Sequence, residues 1–202
     1  MSLTKYHQKR SFDQTPEPKG FIKKTTQVPL FCVQKHDASH LHYDFRLEHR
    51  GVLLSWAIPK GPSVNPVDKR LAIQVEDHPF DYRNFEGIIP EGNYGAGTVM
   101  LWDEGYYTVP GAETKKEIEK AMQAGLEKGH LDIFLAGKKL QGLYSLIRMK
   151  NDEEKKQWLF IKMQDEYAGL KNEAWDNSVK TQRTLAEIAG EKNHKKKSPK
   201  KV

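Results

Sequence analysis

A chain of 202 residues is long enough to bury one core, but 37% hydrophobic residues and a mean hydropathy of −0.76 require an economical fold with much polar surface. The net charge of +6 sits mostly in residues 191–202, where six lysines and one glutamate leave the preceding part near neutral, so the folded part is not a uniformly basic nucleic-acid binder. No apolar run is long enough for a membrane helix and Met1-Ser2-Leu3-Thr4-Lys5 does not begin a signal peptide, so the expectation is a soluble, cytoplasmic chain with no membrane partner.

Residues 1–27 are polar and carry Thr15-Pro16-Glu17-Pro18-Lys19-Gly20, which predicts an extended N-terminal arm outside the core. Strands are expected at 30–36, 40–49 and 51–58. Cys32 lies in the apolar Leu30-Phe31-Cys32-Val33 and reads as a buried, inert thiol. Residues 70–76 alternate, with Leu71, Ile73 and Val75 on one face. Residues 77–97 form a long irregular segment of the kind that carries function in compact domains. A hairpin is expected over 98–109, turning at Asp103-Glu104-Gly105.

Residues 113–128 form the one clear helix, with Ile118, Met122 and Leu126 spaced by four and Gly129 to end it. Strands resume at 131–135, 140–149 and 157–163. Past Tyr167 the chain is polar, with Trp175 able to dock and a lysine-rich end expected to be disordered. The domain organisation is an arm at 1–27, a barrel domain at 28–170 and a polar, lysine-rich tail at 171–202. The fold class is mainly β (α+β), a compact antiparallel barrel with one main helix and extended N- and C-terminal tails.

The chemistry concentrates in residues 36–48. Alternation along a strand points His42, Asp44 and Arg46 to one face and Leu41, Tyr43, Phe45 and Leu47 to the other. With His36 upstream, two imidazoles and a carboxylate suit a borderline divalent metal such as Mn, Fe, Co or Zn. Arg46 has no lone pair to offer a metal, and its fork fits phosphate or carboxylate. Lys60 and Arg70 are further candidate phosphate ligands. His78, where a strand gives way to the irregular segment, could polarise a phosphoryl oxygen or donate a proton, and Tyr82 lies four residues on.

The Gly-rich stretch 87–98 lacks the Gly-Lys-Ser/Thr ending of a phosphate-binding loop and reads as tight turns. His7, His49, His130 and His194 have no partners at useful spacing. Two rival readings are a non-haem Fe oxygenase, with His78 as a ligand beside His42 and Asp44, and a non-catalytic DNA-end-binding module recruited by the basic tail.

Five motifs together resemble the 3′-phosphoesterase module of bacterial DNA ligase D. They are Lys35-His36-x-Ala38-Ser39-x-Leu41-His42-Tyr43-Asp44-Phe45-Arg46-Leu47-Glu48, Ser55-Trp56-Ala57-x-Pro59-Lys60-Gly61-Pro62-Ser63, Lys69-Arg70-Leu71-Ala72, Val75-Glu76-Asp77-His78-Pro79, and Phe85-Glu86-Gly87-x-Ile89-Pro90-x-Gly92-x-Tyr94-Gly95-x-Gly97. They run in family order within residues 6–165. No ligase or polymerase segment accompanies them, so the expectation is a free-standing form.

The resemblance implies a Mn-dependent enzyme, with Co and similar metals as alternatives, acting on DNA or RNA-tipped DNA 3′ ends. It would remove a terminal ribonucleotide and then the 3′-phosphate, leaving a 3′-hydroxyl for non-homologous end joining. A separate ligase and polymerase would be its partners. By position, His36, His42 and Asp44 would hold the metal. Arg46, His78 and Tyr82 would contact phosphate, with Lys60 and Arg70 in support. Two positions depart from the pattern: Ser11 stands where the family has an acidic residue, and His40 where arginine is expected.

Overall fold

The structure, a computed structural model, describes residues 2–22, 28–150, 153, 154, 156–171 and 174–190. The strands are β1 (Leu30–Asp37), β2 (Leu41–His49), β3 (Val52–Ile58), β4 (Lys69–Gln74), β5 (His78–Pro79), β6 (Gly87–Ile89), β7 (Gly97–Thr108), β8 (His130–Gly137), β9 (Gln141–Arg148) and β10 (Gln157–Lys162). The helices are α1 (Thr4–Gln8), α2 (Lys115–Lys128) and α3 (Leu185–Gly190), with a 3-10 helix over Phe80–Asn84.

The sheet order β1-β2-β3-β4-β10-β9-β8-β7 closes through pairing of β7 with β1, so eight antiparallel strands form a barrel without a free edge. Its interior holds Phe45, Leu47, Trp56, Trp102, Tyr144, Leu146, Trp158 and Phe160, all at most 1% exposed. The rings of Tyr144 and Phe160 stack at 4.9 Å. Strand β4 alternates as expected, but its apolar face is the outer one: Ala72 is buried, while Leu71 and Ile73 are 37% and 36% exposed. Ala72 pairs with Trp158, and a small residue beside that indole leaves room for it inside.

The expected hairpin over 98–109 is one twelve-residue strand, β7. The residues read as a turn lie in mid-strand. Pairing with β1 shifts register between Val33 and Gln34, so that Asp103 and Leu101 face consecutive β1 residues and Trp102 is bulged. The Asp103 carboxylate accepts from the backbone N–H groups of Lys138, Lys139 and Leu140 at 2.8–3.0 Å, fixing the β8–β9 turn. Gly105 is required by close approach, because a Cβ there would lie 2.2 Å from the Ala136 carbonyl oxygen. A locally turn-like tripeptide is thus overruled by pairing partners far away in sequence.

Helix α2 begins at a capping box, Thr114 with Glu117, and ends at Gly129 in the left-handed conformation, φ 79°. It buries Ile118 and Met122. Trp175 docks as expected: its ring meets Trp102 edge-on at 4.8 Å, and its carbonyl accepts from Trp102 Nε1 at 2.6 Å.

Among the described residues, parts of both tails are packed rather than extended. The N-terminal stretch forms the short helix α1, and Tyr6 is fully buried in a second cluster with Leu53, Tyr82, Phe85, Ile89 and Val99. Residues 174–190 pack too, with Ser178 and Ile188 buried. The lysine-rich stretch 191–202 and His194 lie outside the described residues. This second cluster stands against the outside of the barrel, over β3 and β7, and the polar face of β2 runs beside it.

Candidate metal and phosphoester site

Strand pairing builds the site. His36 on β1 pairs directly with His42 on β2, and their rings lie 4.8 Å apart. Asp44 is the next residue of β2 on that face. His36 Nδ1 and His42 Nε2 are each 3.7 Å from an Asp44 carboxylate oxygen. Among the described residues, these three form the group whose ligand atoms converge, all within 4.8 Å.

The remaining ring nitrogens are anchored. His36 Nε2 lies 2.9 Å from the Gly95 carbonyl and His42 Nδ1 lies 2.9 Å from the His40 carbonyl. A carbonyl only accepts, so each of these nitrogens carries the hydrogen. The nitrogen facing Asp44 is then left with its lone pair, as a metal ligand requires. The donor set therefore fits a divalent transition metal. His40, where arginine is expected, contributes through its backbone, and its side chain is exposed.

Arg46, 2% exposed, continues the same face. Its guanidinium donates to Gln34 Oε1 at 2.8 Å, Ser55 Oγ at 2.8 Å and Asp44 Oδ2 at 3.1 Å. Gln34 is fixed in turn by donating to the Tyr82 and Phe85 carbonyls. Burial works to raise the Asp44 carboxyl, but the Arg46 guanidinium beside it holds it well below the usual carboxylate range.

His78 on β5 is buried, with Nδ1 2.9 Å from the Glu76 carbonyl and Nε2 3.2 Å from Arg10 Nη2. Burial, then Arg46 and Arg10, push the imidazole well below its ordinary pKa. It is neutral here, with Nδ1–H donated to Glu76 and Nε2 accepting from Arg10. Both nitrogens are engaged by Glu76 and Arg10, and His78 is not among the converging ligand atoms, which leaves the oxygenase reading without its third ligand. Tyr82, also buried, donates its hydroxyl to Glu17 Oε1 at 2.9 Å; burial and then Glu17 raise its pKa well above normal.

The structure thus brings His36, His42, Asp44, Arg46, His78 and Tyr82 to one cavity of about 340 Å³. It does not bring Lys60 and Arg70 there. Both line a second cavity at the other face of β2, beside Tyr43, and Arg70 Nη2 pairs with Asp68 at 2.9 Å. The sequence reading missed the arm's contribution. Arg10 lines the site cavity and binds Glu17 at 2.8 Å, with Glu76 at 3.4 Å. A signal was present for Glu17: Thr15-x-Glu17-Pro18 is conspicuous in a polar stretch. Ser11 is exposed and does not line the cavity. Gln34 also had a signal, as a lone polar side chain after Leu30-Phe31-Cys32-Val33. Cys32 is buried, and burial pushes its thiol up to about 12, as expected for an inert residue.

Residues 34–148 match the family described as the DNA ligase D 3′-phosphoesterase domain. The chain belongs to that family. It is 52% identical over 165 residues to the multifunctional non-homologous end joining protein LigD of Pseudomonas aeruginosa, which covers 81% of this chain and 19% of that protein. The LigD proteins of Mycolicibacterium smegmatis and Mycobacterium tuberculosis are 39% and 40% identical over the same share of this chain, and 21% and 20% of their own. The chain spans about a fifth of the length of the curated relatives it matches. Membership places it among hydrolases of phosphoester bonds, on a closed β-barrel as the sequence predicted. Among the described residues no helix is long and apolar enough to cross a membrane.

Proposed function

We propose that this chain is a metal-dependent 3′-end-processing phosphoesterase. It would hydrolyse the phosphodiester to a 3′-terminal ribonucleotide, releasing the nucleoside and leaving the linking phosphate on the strand, and then remove that 3′-phosphate to leave a 3′-hydroxyl. One observation carries the metal dependence: both histidines are tied through one nitrogen to a backbone carbonyl, and both free nitrogens converge with Asp44. His36, His42 and Asp44 would hold the metal, with Mn as the first choice and Co as an alternative. When bound, such an ion would neutralise phosphate oxygens and lower the pKa of water.

The protein's own groups supply the rest. Arg46, locked by Gln34 and Ser55, keeps Asp44 ionised and offers fixed positive charge beside the phosphate site. Burial, with the charges of Arg46 and Arg10, keeps His78 neutral. A phosphate dianion would draw the Arg10 guanidinium off Nε2 and offset both charges, favouring protonation of Nε2 and its donation to the phosphoryl oxygen. Tyr82 and Glu17 would hold Arg10 in place for the same task. Lys60 and Arg70 would act at the neighbouring cavity.

LigD relatives carry end joining in their names, which supports DNA ends as substrate and a ligase and polymerase as partners. A cytoplasmic location accompanies that proposal. The test is a 5′-labelled primer–template ending in one ribonucleotide, incubated with and without Mn. The expected result is loss of the nucleoside and then of the phosphate, only with metal. Binding of the same DNA in chelator with no metal-dependent product would overturn the assignment in favour of a non-catalytic end binder.

A further inference from the structure

Tyr94 lies in the glycine-rich connection between β6 and β7, between Gly92 and Gly95, whose φ values of 86° and 72° favour glycine. It lines the cavity of the His36–His42–Asp44 cluster yet is 48% exposed. Among the described residues, it is the exposed large apolar side chain that this cavity has; the others lie elsewhere. The ring is held in place. Lys9 Nζ donates to its hydroxyl at 3.0 Å and sits 4.4 Å from the ring centroid, and Arg10 approaches to 5.4 Å. Lys9 is itself fixed by Glu76 at 3.0 Å. The following residue, Gly95, supplies the carbonyl that orients His36. The turn that carries the ring thus also fixes His36 of the ligand cluster.

We propose that Tyr94 is the platform on which the terminal nucleobase of the 3′ strand stacks while its phosphate lies at the ligand cluster. This rests on the phosphoesterase reading and names a substrate contact for it. A cavity of about 340 Å³ has room for a phosphate and a sugar, and places the base at the rim, where the exposed ring waits. A pre-positioned aromatic ring binds any base face at small entropic cost, so the contact suits an enzyme that meets ends of every sequence.

The experiment compares kcat/KM for two DNA 3′-phosphate ends, one with a terminal base and one abasic at that nucleotide. Wild type is expected to favour the base-bearing end by about tenfold or more, in line with base–aromatic stacking. Tyr94→Ala should bring that ratio near one, chiefly through KM. Tyr94→Phe and Tyr94→Trp should keep it, because the ring and not the hydroxyl makes the contact. Turnover by wild type without base preference overturns the inference while leaving the phosphoesterase reading intact, as does an unchanged ratio in Tyr94→Ala. Loss of the ratio in Tyr94→Phe also overturns it. No turnover on either end overturns both. The wild-type ratio decides even where a variant fails to fold.

Discussion

His36 and His42 face each other as a register pair across β1 and β2, with ring centroids 4.8 Å apart. Five residues separate them in the chain, and the β1–β2 turn folds them onto one spot. Asp44 joins them by the two-residue repeat of β2. The cluster is thus set by strand register, and a one-residue slip would turn His42 and Asp44 to the opposite face.

His36→Ala and His42→Ala should each lower Mn affinity and reduce turnover about a thousandfold or more, while cooperative thermal unfolding is kept. Isothermal calorimetry with Mn and a 3′-phosphate assay check this. Near-normal turnover by either folded variant at saturating Mn would remove that histidine from the ligand set.

His78→Gln should lower phosphate removal about a hundredfold with little change in Mn affinity, because its nitrogens face Glu76 and Arg10. A pH signature follows from its buried, neutral state. Its folded-state pKa lies well below that of the unfolded chain, so on acidification the unfolded state takes up a proton that the folded state refuses. Stability is therefore lost as pH falls below about 6.5, by up to about 1.4 kcal/mol per pH unit from this group. Urea unfolding at pH 7.5 and 5.0 should show a smaller acid loss for His78→Gln than for wild type. An equal loss would mean that His78 is charged in the folded protein.

Asp103→Asn should destabilise the fold by about 1–3 kcal/mol. The carboxylate receives three backbone N–H groups, and an amide nitrogen in place of one oxygen would meet donors with a donor. Asp103 belongs to no part of the site, so turnover per folded molecule at 25 °C should stay within about twofold. A melting temperature equal to wild type would show that the β8–β9 turn does not depend on this acceptor.

Deleting residues 191–202 should leave the chemistry intact and weaken DNA binding at low salt, since this stretch holds six lysines and one glutamate. The check is the slope of log affinity against log salt. An unchanged slope would mean that these lysines do not contact the phosphates.

What the sequence determined by itself is local and periodic. The alternation of residues 40–48 set which side chains of β2 share a face, and the spacing in 113–128 with Gly129 set α2. The residue types at 36, 42 and 44 already named a metal-ligand set, because ligand chemistry belongs to the side chain and not to the fold. Tertiary structure decided what depends on distant partners. Tyr6, Arg10 and Glu17 sit in a stretch without periodicity, and they enter the site only because the arm lies against β5 and the 3-10 helix. The Asp103-Glu104-Gly105 tripeptide has turn composition, yet pairing on both sides keeps it in β7. Lys60 and Arg70 look like phosphate ligands in any linear reading. The barrel wall puts them in a cavity apart from His36, His42 and Asp44, since residues close along a chain separate when a sheet stands between them.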